Sequence, residues 1–286
     1  TLRVDRRRGS VYDIVSNVRP TLQGMATAKN VRIVERLDAA LPEIFADAEK
    51  AGRVIINLVV NAIKFSPEGS EVTLWARPAG GGGAQVGVSD PGPGIAPENL
   101  AVIFQRFKQV GADPSGTEGF GLGLNIAEEL VSLNFGVIDV TSEPGKGSTF
   151  SFTLPPNDPA ELMRRQFDYL SRAEGLTTLA AIRVSRGPAG GIDSEFRGFI
   201  ASAINPLDLI LEAGDGSLLI VGAAADPKRF TERVRAAMES VCGRFGGLDS
   251  TEALQVEHVG AWHLPAQEDE AFECVSRELS QEAVNV

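Results

Sequence analysis

Residues 118–131 read EGFGLGLNIAEELV. Gly119, Gly121 and Gly123 alternate with Phe120, Leu122 and Leu124, and the chain then runs straight into an amphipathic helical pattern. A glycine inside an element costs roughly 0.5–1 kcal/mol against alanine, so three of them beside a helix start need a compensating purpose. Successive glycines let backbone N–H groups converge, and the helix that follows turns its positive end, equivalent to roughly half a unit charge, toward an anion. Neither common phosphate loop is present. Leu124 stands where a dinucleotide fingerprint needs its last glycine, and the one Gly-Lys pair, Gly145-Lys146, has Val140 in place of the leading glycine of a Walker loop. The preceding VGADPSGTE (110–118) is polar and poorly patterned, as a lid would be.

The surrounding chain alternates helical and strand periods. Ser10 caps a helical pattern in which Val11, Ile14, Val15, Val18, Leu22 and Met25 share a face, with Pro20 expected to kink it or end its first section. Strands are expected at 31–37, 71–77, 84–90, 137–143 and 149–154, and a long helix over 47–66 capped by Asp47. The expected fold of this part is a two-layer α/β (α+β) sandwich, sheet on one side and helices on the other. PPNDPA (155–160) marks a boundary, which gives domains 1–156 and 157–286. The second domain reads β-α-β-hairpin-α-β-α, a smaller ferredoxin-like α+β order.

Composition narrows the functions. The 286 residues carry a net charge of −11, which argues against nucleic acid or an anionic membrane as a general partner. No apolar run is long enough to span a bilayer, and no signal-peptide pattern opens the chain. Cys242 and Cys274 fall in helical patterns, which suits a reduced, cytoplasmic setting. His258 and His263 have no cluster of ligands around them, so the pattern gives no zinc site.

Two further stretches carry polar groups in apolar surroundings. Asn57, Asn61 and Lys64 project from one face of the 47–66 helix, amid Ile55, Ile56, Leu58, Val59, Val60, Ala62 and Ile63. That stripe reads either as a solvated helix face or as a seam whose amides and ammonium need partners. In VGVSDPGPGI, Asp90 shares parity with Val86 and Val88, so it follows them toward the core, and Gly92 and Gly94 permit positive φ and close backbone approach. Asp90 is either a turn cap or an acid that reads an exocyclic amine on a flat heterocycle.

NLVVNAIKFSP (57–67), DPGPGI (90–95), IFQRF (103–107), GFGLGLNIAEELV (119–131) and GKGSTFSFTLP (145–155) together resemble, in order and spacing, the N, G1, F and G2 boxes and terminal strand of the histidine-kinase-type ATPase domain. That is the ATP-binding module of two-component sensor kinases, in the gyrase–chaperone–kinase–mismatch-repair (GHKL) superfamily, and the likeness spans about residues 10–156. It implies ATP and Mg²⁺ as cofactors, with Asn57, Asn61 and Lys64 catalytic, Asn61 as the metal ligand and Lys64 on phosphate. Asp90 would accept from the adenine amine, with Gly92, Gly94, Ile95 and Thr149 lining its pocket. Gly119, Phe120, Gly121, Leu122, Gly123 and Leu124 would form the lid hinge and phosphate cradle. Phe104 and Phe107 would anchor the lid, and Arg106 and Lys108 would reach phosphate. Members that hydrolyse ATP carry glutamate where this chain has Asn57, and an amide is no general base, so slow turnover is expected.

The resemblance also implies partners: a histidine-bearing dimerisation domain, upstream or in trans, a response regulator, and a homodimer in the full protein. No histidine of this chain stands in an acceptor context, and a start at Thr1 suggests a piece of something longer. An ATP-binding regulator without phosphotransfer is the alternative. In the second half, DLILEAGDGSLLIVG (208–222) and RVRAAMESV (233–241) resemble the hairpin and following helix of diguanylate-cyclase (GGDEF) domains. Gly216 and Ser217 stand where that family has its acidic pair, and Arg183 and Ser185 replace its metal-binding aspartate. A degenerate regulatory or dimerisation module is expected there, or an unrelated ferredoxin-like one.

Overall fold

The computed structural model describes residues 4–105, 123–175, 177–186, 192, 194–223, 226–244 and 254–280. They form two compact units, Arg7–Asn157 in one and residues 1–6 with 158–286 in the other.

The first unit runs β1 (Arg7–Gly9), α1 (Val11–Ala28), β2 (Arg32–Leu37), β3 (Ile44–Ala46), α2 (Ala48–Phe65), β4 (Glu71–Pro78), β5 (Ala84–Asp90), α3 (Pro97–Leu100), α4 (Gly123–Ser132), β6 (Ile138–Glu143) and β7 (Gly147–Leu154). Its main sheet has the order β2-β4-β5-β7-β6. β2 and β4 pair in parallel across the α2 crossover, and the other neighbours are antiparallel. The short β1–β3 pair, which carries little hydrophobic alternation, is a sheet that the sequence pattern did not announce. Val72, Leu74, Val86, Val88, Phe150 and Phe152 face a single core with Val54, Ile55, Leu58 and Val59 of α2 and Ala127, Leu130 and Val131 of α4. Burying one such leucine stabilises by about 1.5–3 kcal/mol, which is why position within this helix is fixed by packing. A Cβ on Gly52 would come 3.0 Å from Val18 Cγ1, so glycine there lets α1 and α2 approach closely.

Helix ends follow the expected chemistry. Ser10 Oγ accepts from Tyr12 N at 3.1 Å, and Asp47 Oδ1 from Lys50 N at 3.0 Å. Pro20 does not end α1, which continues to Ala28; its exposed ring sits on the solvent side of the helix. Met25 is exposed and Ala26 takes the buried place.

The second unit contains α5 (Pro159–Glu174), β8 (Thr178–Arg186), α6 (Ser194–Ala203), β9 (Leu209–Glu212), β10 (Leu218–Ala223), α7 (Pro227–Arg244), β11 (Leu254–His263) and α8 (Glu268–Leu279). The all-antiparallel order β11-β8-β10-β9 is the ferredoxin-like arrangement. Ala180, Ile182, Leu218 and Ile220 face α6 and α7, whereas Leu179, Leu219 and Val221 are buried on the opposite face. α5 and α8 cover that second face. Burial on both sides explains why β10 reads as an unbroken apolar run, LLIV. The units divide one residue later than the expected boundary. Residues 1–6 go with the second unit because buried Arg6 donates to Pro206 O at 2.7 Å and to Asp208 O at 3.3 Å.

Candidate nucleotide site

α2 is anchored at both ends. At its start the Asp47 N–H donates to Asn134 Oδ1 at 2.7 Å, and Asn134, itself fully buried, donates to Leu130 O at 3.0 Å. At its end the Lys29 ammonium donates to the carbonyls of Ile63, at 2.8 Å, and Lys64, which would otherwise lack intrahelical partners. Between these anchors Asn57 and Asn61 are half-buried. Asn57 Nδ2 donates to Gly123 O at 3.3 Å, and a Cβ on Gly123 would lie 3.9 Å from Asn61 Nδ2. Both amides therefore face the first turn of α4. Among the described residues no hydrogen bond holds the Asn61 amide. Lys64 lies farther along, its ammonium 5.4 Å from the Phe65 ring centroid.

The other wall is built at one end of the sheet. Asp90 pairs with Ser148 across β5–β7, and Ser148 pairs with Ser142 across β6–β7, so one carboxylate and two hydroxyls lie in a row. Asp90 Oδ1 accepts from Gly92 N at 2.9 Å. Burial raises the Asp90 carboxyl above its ordinary range, and the backbone amides of Gly92 and Ser148 oppose that rise. Ser142 Oγ accepts from Ile95 N at 2.8 Å, donates to Gly147 O at 2.9 Å, and lies 2.9 Å from Ser148 Oγ. Thus the 91–95 loop is pinned to the β6–β7 turn. Gly94 adopts φ +71°, and a Cβ there would lie 2.1 Å from Glu143 O. Gly92 does not need the positive φ expected of it. It is glycine because a Cβ would lie 2.6 Å from Asp90 Oδ1 and 3.1 Å from Phe65 O, the latter at the end of α2. The loop and α2 therefore meet at Gly92, and α2 joins the amide wall to the carboxylate wall.

Thr149 is placed elsewhere. Phe150 and Phe152 point to the helices, so Thr149 points the other way and its Oγ1 lies 2.9 Å from Ser89 Oγ, which in turn accepts from Trp75 Nε1 at 3.2 Å. Ser148 occupies the position beside Asp90. The parity of Phe150, Phe152 and Leu154 carries this signal in the sequence, since Ser148 shares it, and motif likeness alone passes over both Ser148 and Ser142. Leu124 and Phe104 pack against the core, and Asn125 Nδ2 donates to Phe104 O at 3.1 Å, tying the start of α4 to residue 104. Arg106, Phe107, Lys108, Gly119, Phe120, Gly121 and Leu122 lie outside the described residues.

In the second unit, Asp215 accepts from Ser217 N at 2.9 Å and Ser217 Oγ at 2.6 Å, and pairs with Arg183 at 2.7 Å. Burial would raise its carboxyl, but the Ser217 bonds and the Arg183 charge outweigh burial and hold it below the ordinary range. Arg183 also binds Glu278 at 2.8 Å, so these groups staple the turn and α8 to the sheet. Among the described residues no group of three His, Cys, Asp or Glu side chains could hold a metal ion. No described helix is long and apolar enough to cross a membrane.

Residues 46–158 match the family described as histidine kinase-, DNA gyrase B-, and HSP90-like ATPase. The adaptive-response sensory kinase SasA of Synechococcus elongatus is 34% identical over 155 residues, which cover 54% of this chain and 40% of that protein. The sensor histidine kinase TmoS of Ectopseudomonas mendocina is 37% identical over 158 residues, covering 54% of this chain and 16% of the relative. Full-length ShkA, solved in complex with AMPPNP, aligns with a TM-score of 0.48 and 31% identity over 54% of this chain and 32% of that one. The catalytic domain of the histidine kinase ThkA aligns with a TM-score of 0.46 and 24% identity over 53% of this chain and 95% of that domain. The chain spans only 40% of the length of this SasA and less of TmoS.

Proposed function

We propose that the first unit, whose residues 46–158 carry a histidine-kinase-type ATPase domain, binds Mg-ATP and donates its γ-phosphate to a histidine on a separate dimerisation domain. The observation that carries this reading is the joining of two unlike walls by one helix. A half-buried carboxylate at Asp90 suits a purine amine, and the amides of Asn57 and Asn61 meet the N-terminus of α4, which suits phosphate. Asp90 would accept from the exocyclic amine, while the rigid 91–95 loop sets the plane on which the ring lies.

The donor set fits Mg²⁺ modestly and in a characteristic way. Mg²⁺ commonly takes one or two protein oxygens and completes its shell with water and phosphate, and the Asn61 amide oxygen, held by no described partner, would be that protein oxygen. When bound, the ion supplies neutralisation of phosphate charge. Lys64 would add a point charge on the same face. In transfer, the acceptor imidazole nitrogen attacks the γ-phosphorus, the bond from that phosphorus to the bridging oxygen breaks, and ADP leaves. Asn57 orients through hydrogen bonds and cannot take a proton from water, so hydrolysis is slow while transfer to an external nucleophile remains open.

The test mixes the full chain with γ-labelled ATP, Mg²⁺ and a histidine-bearing dimerisation fragment of a sensor kinase. Acid-labile label on the fragment supports the reading. Tight ATP binding with no label on a panel of such fragments would instead favour an ATP-binding regulator.

A further inference from the structure

Ser142 has one proton, and its neighbours fix where that proton goes. Gly147 O can only accept, so the Ser142 hydroxyl donates there at 2.9 Å; Ile95 N can only donate, so Ser142 Oγ accepts from it at 2.8 Å. The remaining contact, 2.9 Å to Ser148 Oγ, must then be donated by Ser148. Ser148 is buried and pairs with Asp90 on its other side, so its only proton is turned toward Ser142 and its lone pairs alone remain.

We propose that Ser142 is a specificity-determining positioning residue: by taking the Ser148 proton it leaves Ser148 and Asp90 as adjacent acceptors, so the crevice selects a purine bearing an amine over one bearing a carbonyl. The inference rests on the nucleotide-binding reading above and adds the source of its base preference. Ser142 makes no contact with the base. It acts by fixing the direction of one hydroxyl, and by holding the Ile95 end of the loop in place. If Ser142 is removed, the Ser148 hydroxyl is free to rotate and donate to a carbonyl oxygen, and a site of two acceptors becomes a site of either polarity.

The experiment compares equilibrium binding of Mg-ATP and Mg-ITP, which differ in the amine and carbonyl at one ring position, on the full chain and its variants. Wild type is expected to prefer ATP. Ser142→Ala should lower the ATP-to-ITP ratio about tenfold, the fold-change of one neutral hydrogen bond. Ser142→Thr, which keeps the hydroxyl, should restore it. Ser148→Ala, which deletes the acceptor itself, should lose the preference to a similar extent and serves if Ser142→Ala does not fold. A Ser142→Ala variant that weakens both nucleotides equally would overturn the inference, leaving Ser142 a purely structural residue. Wild type binding neither nucleotide would overturn the nucleotide-binding reading and this inference with it.

Discussion

Gly145 and Gly147 share one turn, and substituting each by alanine separates backbone conformation from contact. Gly145 has φ +78° with nothing within 4 Å of an added Cβ, so Gly145→Ala should cost only the left-handed conformation, about 1–2 kcal/mol. Gly147 has φ +96°, and its methyl would lie 1.9 Å from Asp90 O and 2.9 Å from Asp90 C, where real Cβ contacts stay above 3.0 Å. Both are backbone atoms of the last residue of β5, so the strand end must move by about 1 Å and give up its pairing with Ser148. Losing one or two such bonds costs about 1–2 kcal/mol beyond the conformational term, giving about 2–4 kcal/mol in all. Each unit has one tryptophan, Trp75 in β4 and Trp262 in β11. Urea unfolding in a Trp262→Phe background therefore reports the first unit alone. Gly147→Ala should also weaken nucleotide binding more than tenfold, since it displaces Asp90, while Gly145→Ala leaves binding near wild type. Equal stability losses for the two variants would refute the claim that the turn is built against Asp90.

Asp90→Asn should weaken Mg-ATP binding by about 1–3 kcal/mol in titration calorimetry, the range for a hydrogen bond to a charged group, with binding in the wild type also weakening as pH falls through the raised Asp90 pKa. Unchanged affinity would remove Asp90 from the site. Asn134→Ala strands the Asp47 N–H at the start of α2 and should cost the first unit about 1–3 kcal/mol, read by the same Trp75 signal. Asp208, almost fully buried, is pushed up to about 6 by desolvation, against the opposing charge of Arg233 at 2.8 Å. Its folded value exceeds the unfolded one, so wild-type stability relative to Asp208→Asn should fall as pH rises from about 4 to about 6 and stay level above. Urea curves followed by Trp262 in a Trp75→Phe background test this; a relative stability that rises over that window would mean the Arg233 pair dominates.

Elements with strong periodicity were legible in the sequence. The apolar stripe of α2, the alternation of β7 and the Gly-Asp-Gly hairpin all fold as their patterns require. The β1–β3 pair was not legible, because three-residue strands carry no period and their pairing is a long-range event. Residues 1–6 give no local sign that Arg6 binds carbonyls two hundred residues away. In the candidate site, the shared face of Asn57 and Asn61, the inward side of Asp90 and the positive φ of Gly94 were readable from residue type and spacing, whereas Gly92 has no positive φ and Gly119 and Gly121 lie outside the described residues. The Asp90–Ser148–Ser142 row was not, because it depends on the β6–β7 register, set by a turn whose geometry is invisible in one dimension. Thr149 is the instructive case: parity along β7 placed it on the outer face, and motif likeness pulled the other way.

The most direct measurement is a crystal structure of the full chain with Mg²⁺ and a non-hydrolysable ATP analogue. The account predicts the purine amine on Asp90 and the phosphates at Asn61 and the start of α4. An analogue bound away from both walls, or a crevice filled by the chain's own side chains, would contradict it.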